Sequence, residues 1–142
     1  MNAPSQRLLR REVRDLTLVA IGAIPGALGR WGCELVGERV SGGLRGVIEG
    51  DFAANMLGCL VMGLVLALPP SHQRVFLWAG IGFCGSLTTF SSWMLQLSTT
   101  LQGGKIGGSL VVLLSTLIGG LVLMSTSFTL MRRWLTGRTA RP

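Results

Sequence analysis

The stretch Gly82-Phe83-Cys84-Gly85-Ser86-Leu87-Thr88-Thr89-Phe90-Ser91-Ser92-Trp93 decides the fold, because it lies in the middle of a long apolar segment at residues 75–101. That segment is long enough to cross a bilayer as a helix, which takes about 20 residues. Its middle carries two glycines and five hydroxyl side chains, which weaken a helix and compete for backbone hydrogen bonds. Two interpretations are open. The helix is either broken at the membrane centre, with carbonyls and hydroxyls turned toward an ion, or continuous, with small residues that pack closely against a neighbour.

The composition indicates a small integral membrane protein. Of the 142 residues, 49% are hydrophobic and only 13% are charged, about half the charged share of a soluble domain. The net charge of +7 does not predict a nucleic-acid surface, because most of the arginines flank apolar segments in the two tails. We find no set of nucleophile, base and acid, so the sequence does not predict an enzyme.

Four apolar segments predict one all-α membrane domain, residues 1–142, with four transmembrane helices. The predicted spans are residues 16–36, 52–68, 75–101 and 106–131. Gly22 and Gly26 lie one turn apart in the first span, a spacing that favours close contact with another helix. Four slim helices enclose little volume, so a pore would need at least a dimer, and glycine-lined faces suit its formation.

Basic residues predict the orientation of the chain in the membrane. Four spans place both termini on one side, and nine basic residues fall there: Arg7, Arg10, Arg11, Arg14, Arg74, Arg132, Arg133, Arg138 and Arg141. The other side has four: Arg30, Arg39, Arg45 and Lys105. This excess predicts a multi-pass protein of the inner (plasma) membrane with both termini in the cytoplasm.

The three cysteines fall in or beside three different apolar segments, at Cys33, Cys59 and Cys84. They form no CxxC pair and have no histidine at metal-ligand spacing, so we expect them to be buried small residues. The single histidine, His72, lies in a polar connection, where a solvated side chain is expected.

Three polar features of the spans each allow two interpretations. Arg30 either faces a polar interior or extends toward the lipid headgroups. Asn55 either bonds a neighbouring helix or presents its N–H donors to an anion. The hydroxyls of the fourth span either line a pore or bond back to their own helix.

Three elements in order resemble motifs of the Fluc/CrcB family of fluoride channels, over essentially the whole chain. Residues 22–31, GAIPGALGRW, are similar to the family's GGxxGAxxRY element. Residues 50–58, GDFAANMLG, are similar to its GTLxxNxxG element, and residues 82–93 resemble its GFxGGxTTFSTF signature. Each element alone is loose, but all three fall at the expected spans of a short four-helix chain.

This resemblance implies an antiparallel dimer in the lipid bilayer, with two fluoride pathways along the subunit interface and passive export of fluoride from the cytoplasm. It also implies a structural sodium ion, held by the backbone carbonyls of Gly85 and Thr88 at the break in the third helix. The resemblance places six residues along the fluoride pathway: Arg30, Asn55, Phe90, Trp93, Gln96 and Ser115.

Donor chemistry suits those roles. Fluoride is small and strongly hydrated, so a pore must replace its water with hydrogen-bond donors such as the Asn55 amide or hydroxyl groups. The edge of an aromatic ring is electropositive, so Phe90 is suited to face an anion with its edge.

The chain departs from the family pattern at three positions. Trp93 replaces the usual second phenylalanine, Gln96 stands where a glutamate is common, and Ser86 replaces a glycine at the break. A subunit that inserts both ways should show little charge bias, whereas the bias here is nine against four. We therefore hypothesise a fixed orientation and a heterodimer with an inverted homologous subunit. A homodimer and a non-conducting partner subunit are the alternatives.

A small multidrug-type exporter is a further alternative, since such exporters are also four-helix dimers. They need a carboxylate inside the membrane to couple protons to a cationic substrate. Glu34 and Asp51 lie near span ends here, and the middles of the spans hold no acidic residue, which argues against an exporter.

Overall fold

The computed structural model describes residues 3–40, 50–104 and 106–139, which are helical apart from short turns and form no strand. Five helices follow in order: α1 (Ala3–Val40), α2 (Gly50–Leu66), α3 (residues 73–87), α4 (Ser91–Gln102) and α5 (Ile106–Thr139). A 3₁₀ turn at Pro70–His72 leads into α3, whose middle part, Phe76–Cys84, has π-helical hydrogen bonding. The chain is therefore an all-α protein.

The first and last helices are longer than the predicted spans. Over Gln6–Gly37 in α1 and Ile106–Gly137 in α5, the described chain is long and apolar enough to cross a membrane. The 34 residues of α5 extend about 51 Å, whereas the hydrocarbon core of a bilayer is about 30 Å thick. Both helices therefore continue beyond their apolar stretches into the basic tails.

Close packing of α1 on α3 depends on the two predicted glycines. A Cβ atom at Gly22 would overlap the carbonyl of Trp78, and one at Gly26 would overlap the carbonyl of Phe83. The prediction of a close helix contact is confirmed. The contact lies within the chain, so α3 already occupies the face that these two glycines form.

The second close contact joins α2 to α5. A Cβ atom at Gly63 would overlap the Ser127 hydroxyl and the Met124 carbonyl, and one at Gly120 would lie 3.0 Å from the Cys59 sulfur. These small residues bring α5 against α2, while α1 packs against α3. The chain is thus a helical bundle in which small residues let neighbouring helices approach closely.

Large apolar side chains cover the outside of the bundle. Ile24 and Leu28 on α1 are 64% and 60% exposed, and Leu117 and Leu121 on α5 are 58% and 62% exposed. A water-facing helix would carry polar residues on that side. Exposed apolar faces of this kind are typical of a membrane protein, where lipid or another chain covers them.

A tight turn connects α4 to α5. The Gly103 N–H donates to the Thr99 carbonyl (3.1 Å) and the Gly104 N–H to the Leu101 carbonyl (3.0 Å). Gly104 has a φ of +73°, a left-handed conformation that glycine adopts without a steric cost. Lys105, which follows this turn in the sequence, lies outside the described residues.

Candidate functional site

The third apolar segment is broken and not continuous, as the first of the two interpretations predicted, while the ion in that interpretation stays a prediction. Helix α3 ends at Leu87, Thr88 adopts extended backbone angles (φ −75°, ψ 150°), and α4 begins at Ser91. Residues 88–90 therefore leave the helix in the middle of the segment and must find other partners for their backbone groups.

Asn55 on α2 supplies two of those partners. Its Nδ2 donates to the Thr89 carbonyl (3.1 Å), and its Oδ1 accepts from the Thr89 N–H (2.9 Å). One side-chain amide thus pairs with both backbone groups of a residue 34 positions later. This pair of bonds fixes the break against α2.

At the break, two backbone carbonyls lose the N–H groups that would bond them in a regular α-helix. In an α-helix the Thr89 N–H would bond the Gly85 carbonyl, but it bonds Asn55 instead. The Ser92 N–H would bond the Thr88 carbonyl, but it donates to Thr89 Oγ1 (3.4 Å). The regular helical donors of Gly85 and Thr88, the predicted sodium ligands, thus bond to side chains instead.

Thr88 itself fits against a glycine of α2. A Cβ atom at Gly58 would overlap the Thr88 methyl group. The Thr88 hydroxyl donates to the Cys84 carbonyl (2.8 Å), which satisfies the end of α3. Directly before it, the fully buried Leu87 anchors the helix. The position of the break thus depends on small and buried residues around Thr88.

A groove of about 440 Å³ lies between α2, the break and α5. It brings together three predicted residues, Asn55, Thr88 and Phe90. The full lining is Asn55, Met56, Cys59, Thr88, Thr89, Phe90, Thr116, Leu117, Gly120, Leu121 and Met124. Phe90 is 71% exposed, so the groove extends to the surface of the bundle.

The hydroxyl that α5 contributes to this groove is that of Thr116. Thr116 is buried, and its Oγ1 donates to the Val112 carbonyl (2.7 Å). Ser115, the residue predicted from the sequence, bonds the same carbonyl (3.1 Å) and is not among the groove residues. The signal for Thr116 was its spacing from Gly120, because residues four apart share a helix face.

Ser86, one of the three departures, serves the contact between α1 and α3. Its Oγ lies 2.9 Å from the Ala23 carbonyl and 2.8 Å from the Gly82 carbonyl, in the space that Gly26 leaves open. It lies in the helical turn before the break and does not line the groove. This hydroxyl therefore ties α3 to α1.

The remaining predicted site residues lie apart from the groove or outside the description. A Cβ atom at Gly85 would meet nothing within 4 Å, so that face of the turn is open. Arg30 is paired with Glu34, with 3.9 Å between Nε and Oε1, and does not line the groove. The side chains of Trp93 and Gln96 lie outside the described residues.

The cysteines and the histidine hold no candidate metal centre. The described residues contain no group of three or more histidine, cysteine or acidic side chains placed to bind a metal. Cys84 is buried as predicted, whereas Cys33 and Cys59 are half-buried, the latter at the groove. His72 is exposed beside the Ser71 hydroxyl (3.2 Å), as predicted for a loop residue.

The sequence of this chain matches a known protein family. A family model described as CrcB-like protein, Camphor Resistance (CrcB), matches residues 17–128. A relative from Synechococcus sp. (strain CC9902), named Fluoride-specific ion channel FluC 2, is 43% identical over 71% of this chain and 67% of its own length. Proteins of the same name from Prochlorococcus marinus (strain MIT 9313) and Parasynechococcus marenigrum (strain WH8102) are 41% and 39% identical. Their alignments cover 73% and 89% of this chain and 70% and 87% of the relatives. This chain belongs to the CrcB family.

Proposed function

We propose that this chain is a subunit of a fluoride-selective channel that exports fluoride passively from the cytoplasm and protects the cell against fluoride toxicity. The observation that carries the proposal is the broken third helix, fixed by Asn55 beside a groove, in a chain whose relatives are named fluoride-specific ion channels. Hydrogen fluoride crosses membranes as the neutral acid and dissociates inside. A passive path for the anion then lets fluoride leave. Family membership supports a channel and not an enzyme.

Donors around the groove support an anion path. The Asn55 amide has two N–H groups and uses one of them on the Thr89 carbonyl, which leaves the second for an anion. The exposed ring of Phe90 presents an electropositive edge at the same groove. A dehydrated fluoride ion needs such donors in place of its water. We propose Arg30, Trp93, Gln96 and Ser115 as further pathway residues on the family resemblance.

The break also suits a structural sodium ion. Backbone carbonyl oxygens are the ligands that hard monovalent cations accept in membrane proteins. The Gly85 and Thr88 carbonyls fit this requirement, because their regular helical donors are bonded to side chains. A sodium ion, when bound there, supplies a fixed positive charge close to the proposed anion path. Asn55 would thus serve both ions, by releasing the Gly85 carbonyl and by facing the groove.

A second subunit completes this arrangement. Phe90 is 71% exposed and Gly85 faces open space, so the proposed ion sites lie at the surface of one subunit. We propose an antiparallel dimer that covers these residues, with four membrane spans in each subunit and both termini of this chain in the cytoplasm of a plasma-membrane protein. The partner is either a second copy of this chain or an inverted homologous subunit.

Fluoride efflux from liposomes tests the proposed function. Vesicles that hold the purified chain are loaded with potassium fluoride, and efflux is followed with a fluoride electrode beside a chloride-loaded control. We expect fast loss of fluoride and no loss of chloride. Chloride loss at a comparable rate would contradict the proposal.

The same assay separates the two kinds of dimer. Robust fluoride flux from the lone chain would refute the heterodimer, which we favour because basic residues divide nine against four between the two sides. If the lone chain shows no fluoride flux, it is reconstituted together with the most similar membrane protein encoded nearby. Flux from the pair would establish the heterodimer, and silence of the pair would overturn the channel proposal.

A further inference from the structure

Three charged side chains meet where α1 packs against the first turn of α2. Arg30 and Glu34 form an ion pair on α1, with 3.9 Å between Nε and Oε1. Asp51 on α2 interacts electrostatically with both of them. Gly50 holds the helices together at this level, since a Cβ atom there would lie 2.7 Å from the Cys33 carbonyl oxygen. We refer to Arg30, Glu34 and Asp51 as the α1–α2 charge cluster.

Asp51 is the unusual member of the cluster. It is only 9% exposed, although it carries a carboxylate. Its Oδ1 is buried and has no hydrogen-bond partner among the described residues. A buried carboxylate is costly unless a positive charge or hydrogen bonds compensate it. Arg30 is the positive side chain that faces it from the described elements.

The cluster lies one helical turn from the proposed anion path. Asp51 precedes Asn55 by four residues, so both lie on the same face of α2, separated by an axial rise of about 6 Å. On α1, a Cβ atom at Gly29, next to Arg30, would lie 3.3 Å from Leu87, the last residue before the break. A charge in the cluster therefore acts on the break and on the groove at short range.

We propose that Asp51 determines the rate at which fluoride enters the groove. With Asp51 ionised, one positive and two negative side chains give the cluster a charge of −1, which repels an anion close to Asn55. Arg30 acts on the pathway as the counter-charge of Asp51 and Glu34. This inference rests on the proposed fluoride-channel function.

The size of the effect follows from Coulomb's law. One unit charge about 6 Å from an anion in water changes its local concentration about threefold. Asp51→Asn should therefore raise fluoride efflux about threefold at low ionic strength. Arg30→Gln, which takes the cluster to −2, should lower efflux by a similar factor. Both factors should shrink as the ionic strength rises, because salt screens the interaction.

The experiment is a double-mutant cycle of Asp51→Asn, Arg30→Gln and the double variant. Fluoride efflux from liposomes is measured at about 0.01 M and 1 M ionic strength, where the screening lengths are about 30 Å and 3 Å. Asp15→Asn is the matched control, because it also removes one negative charge. Asp15 lies on α1, 36 residues before Asp51 in the sequence, and pairs with Arg14 (3.0 Å). It should leave efflux unchanged.

Thermal unfolding in detergent gives a second readout that does not depend on transport. Arg30→Gln should lower the melting temperature when it is introduced into the wild type, because it removes the counter-charge of the buried Asp51 carboxylate. Introduced into the Asp51→Asn variant, which has no carboxylate at this position, it should lower the melting temperature much less. Equal losses in both backgrounds would refute the pairing of Arg30 with Asp51.

The outcomes separate this inference from the proposed function. A wild type that conducts fluoride, with an Asp51→Asn variant of unchanged efflux at low ionic strength, overturns this inference alone. A change in efflux that is the same at both ionic strengths overturns it too, because a merely structural role of Asp51 is not screened by salt. A wild type that is silent, alone and with its partner, overturns the proposed function and this inference with it.

Discussion

Replacement of Asn55 by alanine is the substitution that perturbs the break most directly. It removes both hydrogen bonds to Thr89, from the side-chain Nδ2 to the carbonyl (3.1 Å) and from the backbone N–H to Oδ1 (2.9 Å). Thr89 then has an unpaired N–H and an unpaired carbonyl inside a membrane protein, where water is scarce. Either these two groups remain unpaired, or the backbone at residues 88–90 rearranges to pair them.

The expected cost is large for a chain of this size. An unsatisfied buried donor or acceptor costs about 1–3 kcal/mol, so two of them cost roughly 2–6 kcal/mol. A domain is typically stable by only about 5–15 kcal/mol. For a protein of this length, such a loss lowers the melting temperature by roughly 5–20 °C. If the helix re-forms instead, the Thr89 N–H returns to the Gly85 carbonyl, and the proposed ion sites disappear.

Thermal unfolding in detergent and fluoride efflux from liposomes measure the two consequences. Asn55→Ala should lose stability and efflux together. Thr126→Ala is a matched control, because its exposed hydroxyl bonds only the Val122 and Leu123 carbonyls of its own helix. That variant should change the melting temperature by a few degrees at most and leave efflux intact.

The aspartate variant separates structure from charge at the same position. Asn55→Asp keeps an oxygen that accepts from the Thr89 N–H, but it turns the bond to the Thr89 carbonyl into a repulsion and adds a negative charge at the groove. Efflux should be suppressed even where the protein stays folded. Wild-type efflux in Asn55→Asp, or a wild-type melting temperature in Asn55→Ala, would refute the role of this side chain.

Three further substitutions test the surroundings of the break. Gly58→Ala places a methyl group against the Thr88 side chain. The melting temperature should fall by an amount equivalent to about 1–3 kcal/mol, and fluoride efflux should fall with it. Unchanged values would show that Thr88 moves freely. Ser86→Ala loses the hydrogen bond to the Ala23 carbonyl, which should cost about 0.5–1.5 kcal/mol in a chemical or thermal melt without abolishing efflux, because this hydroxyl lies away from the groove. Thr116→Val keeps the shape of the buried side chain and removes a hydroxyl whose one proton already goes to the Val112 carbonyl, so efflux should stay near that of the wild type. Reduced efflux at little cost in stability would show instead that this hydroxyl donates to the pathway.

Local sequence signals raised the possibility of the break but did not decide it. Glycine and hydroxyl residues left a broken and a continuous third helix both open, and the break lies at residues 88–90. For Asn55 the sequence left open a bond to a neighbouring helix or a donor to an anion, and the resemblance to a family favoured the donor. Its bonds go to Thr89, a partner that was not predicted because it lies 34 positions away and depends on how α2 packs against the break.

Tertiary packing also decided features that composition left open. The spacing of Gly22 and Gly26 predicted a close contact but not its partner, which is α3 of the same subunit. Ser115 and Thr116 are adjacent hydroxyl residues, and only the rotation of α5 decides which of them faces the groove. The ends of α1 and α5 extended past the predicted spans, since arginine is a good helix former outside the membrane as well.

The reversal potential of the current in a planar bilayer tests the claim of a passive, fluoride-selective channel most directly. The chain, alone or with its inverted partner, is placed between solutions with a tenfold fluoride gradient, and chloride and proton gradients are imposed separately. We predict a reversal potential of about 60 mV that follows the fluoride gradient and does not shift with chloride or pH. A reversal potential that follows the proton or the chloride gradient would contradict a passive fluoride-selective pore.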